Sequence, residues 1–548
     1  MASSTFVKGA IVLAYTGVTV KLIGAVMRII LAALMGDEGI GLYQMAYPVY
    51  ATLLTISTAG IPVAISKLVS EKLALEDPGG AYRVYQVALV ILTASGLTIS
   101  LLLAVGAGYF AENVAGNPQA RLPILAISPA IFFVTIMSAM RGFFQGHQHM
   151  VPTAISQFVE QVARVVTSIG LVVVLLPVSL EYAAAGAAFG AVSGGAIGLL
   201  VLIIIYYRKK SEFSSIVYAQ SVGKQQNNTR DVVNRVISLS IPITLASIML
   251  PLINLLDLGI GVNRLLDLGL TTERATALYG QLTGMGMSLM QLPTALIIAL
   301  TISLVPAVSE AFALDNDSLL RHRLNISTRL TVLFALPSAT GLFLLSLPQL
   351  NNAVTVLLYN NAEAAYPLSI LAWGVLFFSF HLTTTGTLQG MGYPILPVKN
   401  MAIGISVKAL LTWFLTGIPE VNIGGAALAT VACFAVVAVL NMWRVARLTG
   451  YRYRLGELFT KPIVSVLGMV VSVILVYRLT FFLAMDYLSF SLANALATVA
   501  CVIVGAFVYL ILLLLLGWLT EAELGSIPNV GEKLLKWARK YNLIKEQG

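Results

Sequence analysis

The sequence predicts an all-α polytopic membrane protein: about fourteen transmembrane helices, two six-helix lobes built as a pseudo-two-fold parallel repeat, and two further C-terminal helices. Three observations predict it. Of 548 residues, 58% are hydrophobic and only 10% are charged, against about a quarter charged in soluble domains. Apolar runs of roughly 20 residues recur from end to end, the length a helix needs to cross a bilayer, without the alternation of barrel strands. Short motifs also recur about 240 residues apart.

Runs bounded by charge, Pro or Asn clusters place the first six spans at 6–35, 41–66, 84–110, 122–140, 151–177 and 182–207, which form a lobe over 1–207. The next six, at 236–258, 277–312, 326–347, 368–390, 398–418 and 422–443, form a lobe over 236–448; spans at 462–484 and 489–517 complete a segment 449–518. MASSTFVKGA runs straight into a full-length span with no small-residue cleavage site, so the first helix is expected to stay. Residues 208–235 are basic and rich in Ser, Gln and Asn, as expected of a cytoplasmic linker. The tail 519–548 holds VGEKLLKWARKYNLIK, whose Leu, Trp and Tyr mix with Lys and Arg at helical spacing, an amphipathic helix for the inner membrane surface.

An even number of spans puts both termini on one side. With that side cytoplasmic, only Arg121, Arg264 and Arg274 of the 33 Lys and Arg fall in outside loops, as the positive-inside rule requires. The net charge of +9 then belongs to loops beside an anionic leaflet and calls for no nucleic-acid partner. Cys433 and Cys501 lie within spans, where cysteine behaves as a small apolar residue. The HQH at His147–His149 has no Cys, Asp or Glu beside it to complete a metal site, and no GxxxxGK[ST] phosphate loop is present. No catalytic constellation, metal or cofactor is expected.

The repeat sets the architecture. GFFQGHQHMVP at Gly142 is echoed by GTLQGMGYPILP at Gly386, AAAGAA at Ala183 by IGGAAL at Ile423, and LYQ and VSE at Leu42 and Val69 by LYG and VSE at Leu278 and Val308. Each copy holds an even number of helices, so both have the same orientation in the membrane, an arrangement typical of transporters.

Charges inside spans mark the candidate site, because each costs roughly 2.5–3.5 kcal/mol at mid-membrane unless paired, hydrated or snorkelling. Lys21 and Arg28 are seven residues apart on one stripe of the first helix, with Gly24 and Ala25 between them. They are read as a cationic wall on a water-filled cavity, with snorkelling or a single buried acid as the alternative. Glu160 and Arg164 are spaced i,i+4 in the favourable order for an ion pair. Adding the 244-residue offset of the QG motif to Arg164 gives Lys408, whereas the same offset from Glu160 gives Gly404. Lys408 therefore lacks its own i−4 carboxylate and is the better anion contact. Asp257 could pair with a first-helix cation, bind a coupling H⁺ or Na⁺, or serve as a plain interfacial carboxylate, which is favoured. His381 is open between a hydrogen-bonded core histidine and a proton-responsive group.

These stretches, with TFVKG at Thr5, GDEGIGLYQMAYP at Gly36, GIPVAISKLVSE at Gly60, RGFFQGHQHMVPTAISQFVEQVARV at Arg141 and LVPAVSE at Leu304, resemble the stage V sporulation protein B (SpoVB) family of the MOP flippase superfamily, related to the MurJ lipid II flippases. The resemblance implies two six-helix lobes forming a V around a central cationic cavity, with two extra helices making a groove for a lipid tail. VKLIG places Lys21 at the arginine of a MurJ-type first helix. Met27-Arg28 departs from the usual Arg-acid pair, and YATLLTISTAG, Tyr50 to Gly60, has no counterpart of the second-helix arginines. The expected function is alternating-access translocation of an undecaprenyl-diphosphate-linked precursor of the lipid II type across the bacterial cytoplasmic membrane, for spore-cortex peptidoglycan synthesis. On this reading Lys21, Arg28, Arg164 and Lys408 take the headgroup. The alternatives are a flippase for another polyprenyl-linked glycan, a cation-coupled drug exporter, and a non-transporting scaffold with cell-wall synthases as partners. A transporter rather than an enzyme is expected throughout.

Overall fold

The computed structural model of the chain describes residues 2–220 and 229–519, and among them there are helices and turns but no strands. The helices of eight residues or more are α1 (Ala2–Thr58), α2 (Ile61–Ala74), α3 (Pro78–Val105), α4 (Pro129–Gly146), α5 (Met150–Leu175), α6 (Leu180–Gln220), α7 (Thr229–Ser247), α8 (Met249–Leu256), α9 (Thr272–Tyr279), α10 (Met287–Ala313), α11 (Asp317–Leu345), α12 (Ala365–Gly390), α13 (Ile395–Thr416), α14 (Ile423–Thr449), α15 (Leu455–Met485) and α16 (Phe490–Leu515).

Among the described residues, 13 segments are long and apolar enough to cross a membrane. The first, Tyr15–Ala74, has 60 residues, or about 90 Å at 1.5 Å per residue, where about 30 Å suffices. Its helix breaks at Gly36 (φ 70°, ψ −170°), a conformation that only glycine adopts readily. That segment therefore holds two crossings, and the count reaches the fourteen expected. The chain is a multi-pass membrane protein.

The expected seventh span, 236–258, extends further. Helical structure continues past Leu256 through a π-turn, Asp257–Val262, and a last turn, Asn263–Asp267. Its polar residues find local partners: Asn263 donates to the Val114 and Gly259 carbonyls at 3.0 and 2.7 Å, and Arg264 pairs with Asp267 at 2.9 Å. α6 likewise runs on to Gln220, into the segment read as a linker. Most of the amphipathic tail, from residue 520 on, lies outside the described residues.

The chain divides into two compact units, Met1–Gly284 with Thr412–Asn422, and Met285–Leu411 with Ile423–Gly548. In the first, Ile65, Leu68 and Val69 of α2 pack with Tyr85, Ala88 and Leu92 of α3, Phe143 and Phe144 of α4, Leu202 of α6 and Val236 of α7. In the second, Leu304 and Val308 of α10 pack with Leu320 and Leu324 of α11, Leu388 of α12 and Val445 of α14.

The repeated GFFQG and GTLQG are the same packing device in each unit. Both are G-x-x-x-G, a spacing that lets a neighbouring helix approach closely. A Cβ on Gly142 would lie 2.8 Å from the Pro62 carbonyl oxygen, and one on Gly146 2.6 Å from Val69 Cβ. In the second unit a Cβ on Gly386 would lie 2.5 Å from Thr301 Cγ2, and one on Gly390 3.1 Å from Val308 Cβ. Pro62 and Thr301, like Val69 and Val308, are 239 residues apart. The sequence repeat is thus a repeat of contacts, with α4 on α2 in one unit and α12 on α10 in the other.

Candidate functional site

In the first unit, four helical stretches supply the site: the two parts of α1, α5, and α4 with Arg141. Before the Gly36 break, α1 carries Lys21, Gly24 and Arg28; after it, Tyr43, Tyr47 and Tyr50 share one face at i, i+4, i+7. α5 carries Glu160, Gln161 and Arg164. Gly24 is the close point, since a Cβ there would lie 3.2 Å from Gln161 Nε2. The stripe between the two cations therefore lies against α5.

Glu160 accepts from two guanidinium groups, Arg141 Nη2 of α4 at 2.9 Å and Arg164 Nη2 at 3.1 Å. Arg141 Nε also donates to Ser156 Oγ at 2.9 Å. All three charged side chains are only 13–15% exposed. The Arg164 charge is felt by the phenols of Tyr43, Tyr47 and Tyr50, and that of Arg28 by Tyr43. The tyrosine rings follow one another with centroids 6.1 and 5.9 Å apart. Tyr43 and Tyr50 are buried, whereas Tyr47 is half-buried.

Charge does not balance here. Glu160 is one carboxylate against Arg28, Arg141 and Arg164, a net of +2, and Lys21 adds a further cation on the exposed side of α1. Half-buried Arg28 and exposed Lys21 make no hydrogen bond or ion pair among the described residues. Arg164 Nε is buried without a hydrogen-bond partner. A surplus of planar guanidinium donors beside phenol hydroxyls suits an oxyanion of phosphate type.

The structure brings Lys21, Arg28, Glu160 and Arg164 into one unit and joins the last two directly. Spacing alone exposed that pair; it did not expose Arg141, whose contact spans 19 residues. The tyrosine face was readable as LYQMAYPVY but offered no charge to flag it. Lys408, Asp257 and His381 have other surroundings. Lys408 sits on α13 nearly as far from the helix start as Arg164 does on α5, yet it is fully buried, and its Nζ donates to Thr430 Oγ1 at 2.5 Å. As placed, its ammonium faces a helix neighbour instead of a surface open to a ligand. Asp257 is buried at the head of the π-turn, with its charge felt by Tyr279. His381 is buried against Phe378 and Phe434, with Nδ1 3.3 Å from Thr385 Oγ1. Thr385 in turn accepts from Asn441 at 3.2 Å, and Asn441 from Asn400 at 2.8 Å. These bonds satisfy a buried polar chain that includes the histidine. Among the described residues no group of three or more His, Cys, Asp or Glu could hold a metal ion.

Comparison with known proteins gives the family and the fold. Residues 6–312 match the family described as polysaccharide biosynthesis protein. Stage V sporulation protein B of Bacillus subtilis (strain 168) is 30% identical over 98% of this chain and its own full length. The lipid II flippase MurJ of the same organism is 27% identical over 97% of this chain and 99% of its own. In fold, the chain is similar to the lipid II flippase MurJ in its inward closed conformation, with a TM-score of 0.65 and 14% identity over 92% of this chain and 98% of that one. With its helical membrane fold, internal repeat and surplus of intramembrane cations, the chain belongs to the polysaccharide biosynthesis protein family, in the stage V sporulation protein B branch of the MOP superfamily.

Proposed function

We propose that the protein is a flippase for lipid-linked cell-wall precursors, and specifically that it carries an undecaprenyl-diphosphate-linked unit of the lipid II type for spore-cortex peptidoglycan. Kinship with the stage V sporulation protein B and MurJ relatives supports the general class. One observation carries the specific reading: within membrane-spanning helices Arg141 and Arg164 share the single carboxylate of Glu160, while Arg28 and Lys21 have no ion pair among the described residues. Buried charge without a partner is costly, so a stable surplus of cations calls for an anion during the working cycle. A diphosphate meets that need, and Lys21, Arg28 and Arg164 are its proposed contacts. A hydrated cationic surface also spares the headgroup the cost of entering hydrocarbon bare. An exporter of cationic drugs would need the opposite sign of charge. Both termini are proposed to be cytoplasmic, on the distribution of Lys and Arg.

The test is complementation of a cortex-deficient strain together with translocation of labelled lipid II in proteoliposomes. Lys21→Ala and Arg28→Ala should insert normally and lose activity in both assays. Lys21→Arg should keep it. Arg28→Lys should lose more than Lys21→Arg, because an ammonium cannot reproduce the bidentate contact of a guanidinium with phosphate. Normal activity of both alanine variants at normal protein levels would overturn the site. Activity on a different polyprenyl-linked glycan, but not on lipid II, would retain the class and overturn the substrate.

A further inference from the structure

Independently of the cationic cluster, the second unit carries a groove bordered by a cation that the proposed headgroup contacts do not include. α15 is strongly apolar, yet it places Arg478 seven residues before its end at Met485, about 10 Å along the axis. Arg478 is exposed and makes no hydrogen bond or ion pair among the described residues. It borders a surface cavity of about 600 Å³ whose lining includes Gln349, Asn351, Leu475, Leu479 and Phe482, and which contains no carboxylate.

The polar side of this cavity is held rigidly. Asn351, in the left-handed conformation at φ 53°, donates to Tyr477 Oη at 3.3 Å. Tyr477 donates to Asn494 Oδ1 of α16 at 2.7 Å, and Asn494 donates to the Ala353 carbonyl at 3.1 Å. The 351–353 segment is thereby tied to both α15 and α16. On the apolar side, Leu475, Leu479 and Phe482 follow at i, i+4, i+7 and are 62–71% exposed, forming an apolar strip that runs past Arg478, with Leu475 towards the middle of α15 and Phe482 towards its end.

We infer that this groove binds one anionic glycerophospholipid of the adjacent leaflet, its phosphodiester on Arg478, an acyl chain running past Leu479 and Leu475 towards the middle of α15, and Phe482 beside the headgroup end. Charge complementarity selects the occupant. A single guanidinium matches the single negative charge of a phosphodiester, and the neighbouring Gln349 and Asn351 carboxamides add neutral donors. A zwitterionic headgroup would bring an ammonium beside Arg478 with no carboxylate in the lining to receive it. In the proposed orientation this leaflet is the outer one.

The experiment uses the full chain reconstituted in phosphatidylcholine vesicles doped with phosphatidylglycerol, then native mass spectrometry of the extracted protein. Wild type should retain phosphatidylglycerol in preference to phosphatidylcholine. Arg478→Gln should bind it about tenfold more weakly, the effect of losing one charge-assisted hydrogen bond, and Arg478→Lys should recover part of that loss. A second measurement does not depend on removing the arginine: Phe482→Trp fluorescence should be quenched more by nitroxide-labelled phosphatidylglycerol than by the labelled phosphatidylcholine. Equal retention by wild type and Arg478→Gln, or equal quenching by the two lipids, overturns the assignment.

Discussion

Replacing Glu160 by glutamine is the sharpest test of how the intramembrane charges are held. The substitution keeps the shape and removes the only carboxylate shared by Arg141 and Arg164, which approach it at 2.9 and 3.1 Å. All three side chains are less than a sixth exposed, so solvent screening is slight. Leaving a buried partner uncompensated costs about 3–5 kcal/mol. Taking the low end, and about 2–4 °C per kcal/mol for a unit of this size, the apparent melting temperature should fall by about 6–12 °C. The assay is thermal unfolding of purified protein, followed by intrinsic fluorescence. Glu160→Gln/Arg141→Gln returns the cluster to its original net charge and should recover more than half of the loss, since the two sites are directly coupled. A fall of under about 2 °C for Glu160→Gln alone, or no recovery in the double variant, would refute the view that this carboxylate balances both arginines.

Two further outcomes are expected. Gly146→Leu and Gly390→Leu should each destabilise by at least about 1–3 kcal/mol through overpacking, whereas Gly170→Ala, with nothing within 4 Å of its Cβ position, should be silent in the same melts; equal effects at all three positions would dismiss the helix-approach argument. Burial pushes the His147 imidazole, just beyond the end of α4, below its usual value of 6.5, so the fold favours the neutral ring. Its contribution is complete above pH 6.5 and is lost as the pH falls from 6.5 through the lowered folded value. His147→Asn should therefore flatten the decline in melting temperature between pH 7 and pH 5, and an unchanged slope would count against this role.

How much of the site was legible depends on the kind of contact. Glu160 and Arg164 could be paired on paper because a helix brings i and i+4 together. Arg141 could not, since its approach to Glu160 depends on how α4 lies against α5. Tyr43, Tyr47 and Tyr50 were visible as a helical face, yet nothing local indicated that the face turns towards Arg164. Lys408 shows the opposite limit. Its place in the repeat was readable, but whether its ammonium meets a ligand or Thr430 is a matter of packing.

By itself the sequence determined the class, the number of crossings and the repeat. A bilayer imposes lengths, forbids unpaired backbone groups and penalises charge, and each constraint acts on contiguous residues. Only the tertiary structure decided that the first two crossings meet at a break at Gly36 with no loop between them, that the repeated glycines are the points where α4 meets α2 and α12 meets α10, and that one carboxylate serves two arginines. Those outcomes depend on side chains from separate helices competing for the same few ångströms of space, and no spacing along the chain records which of them arrives there.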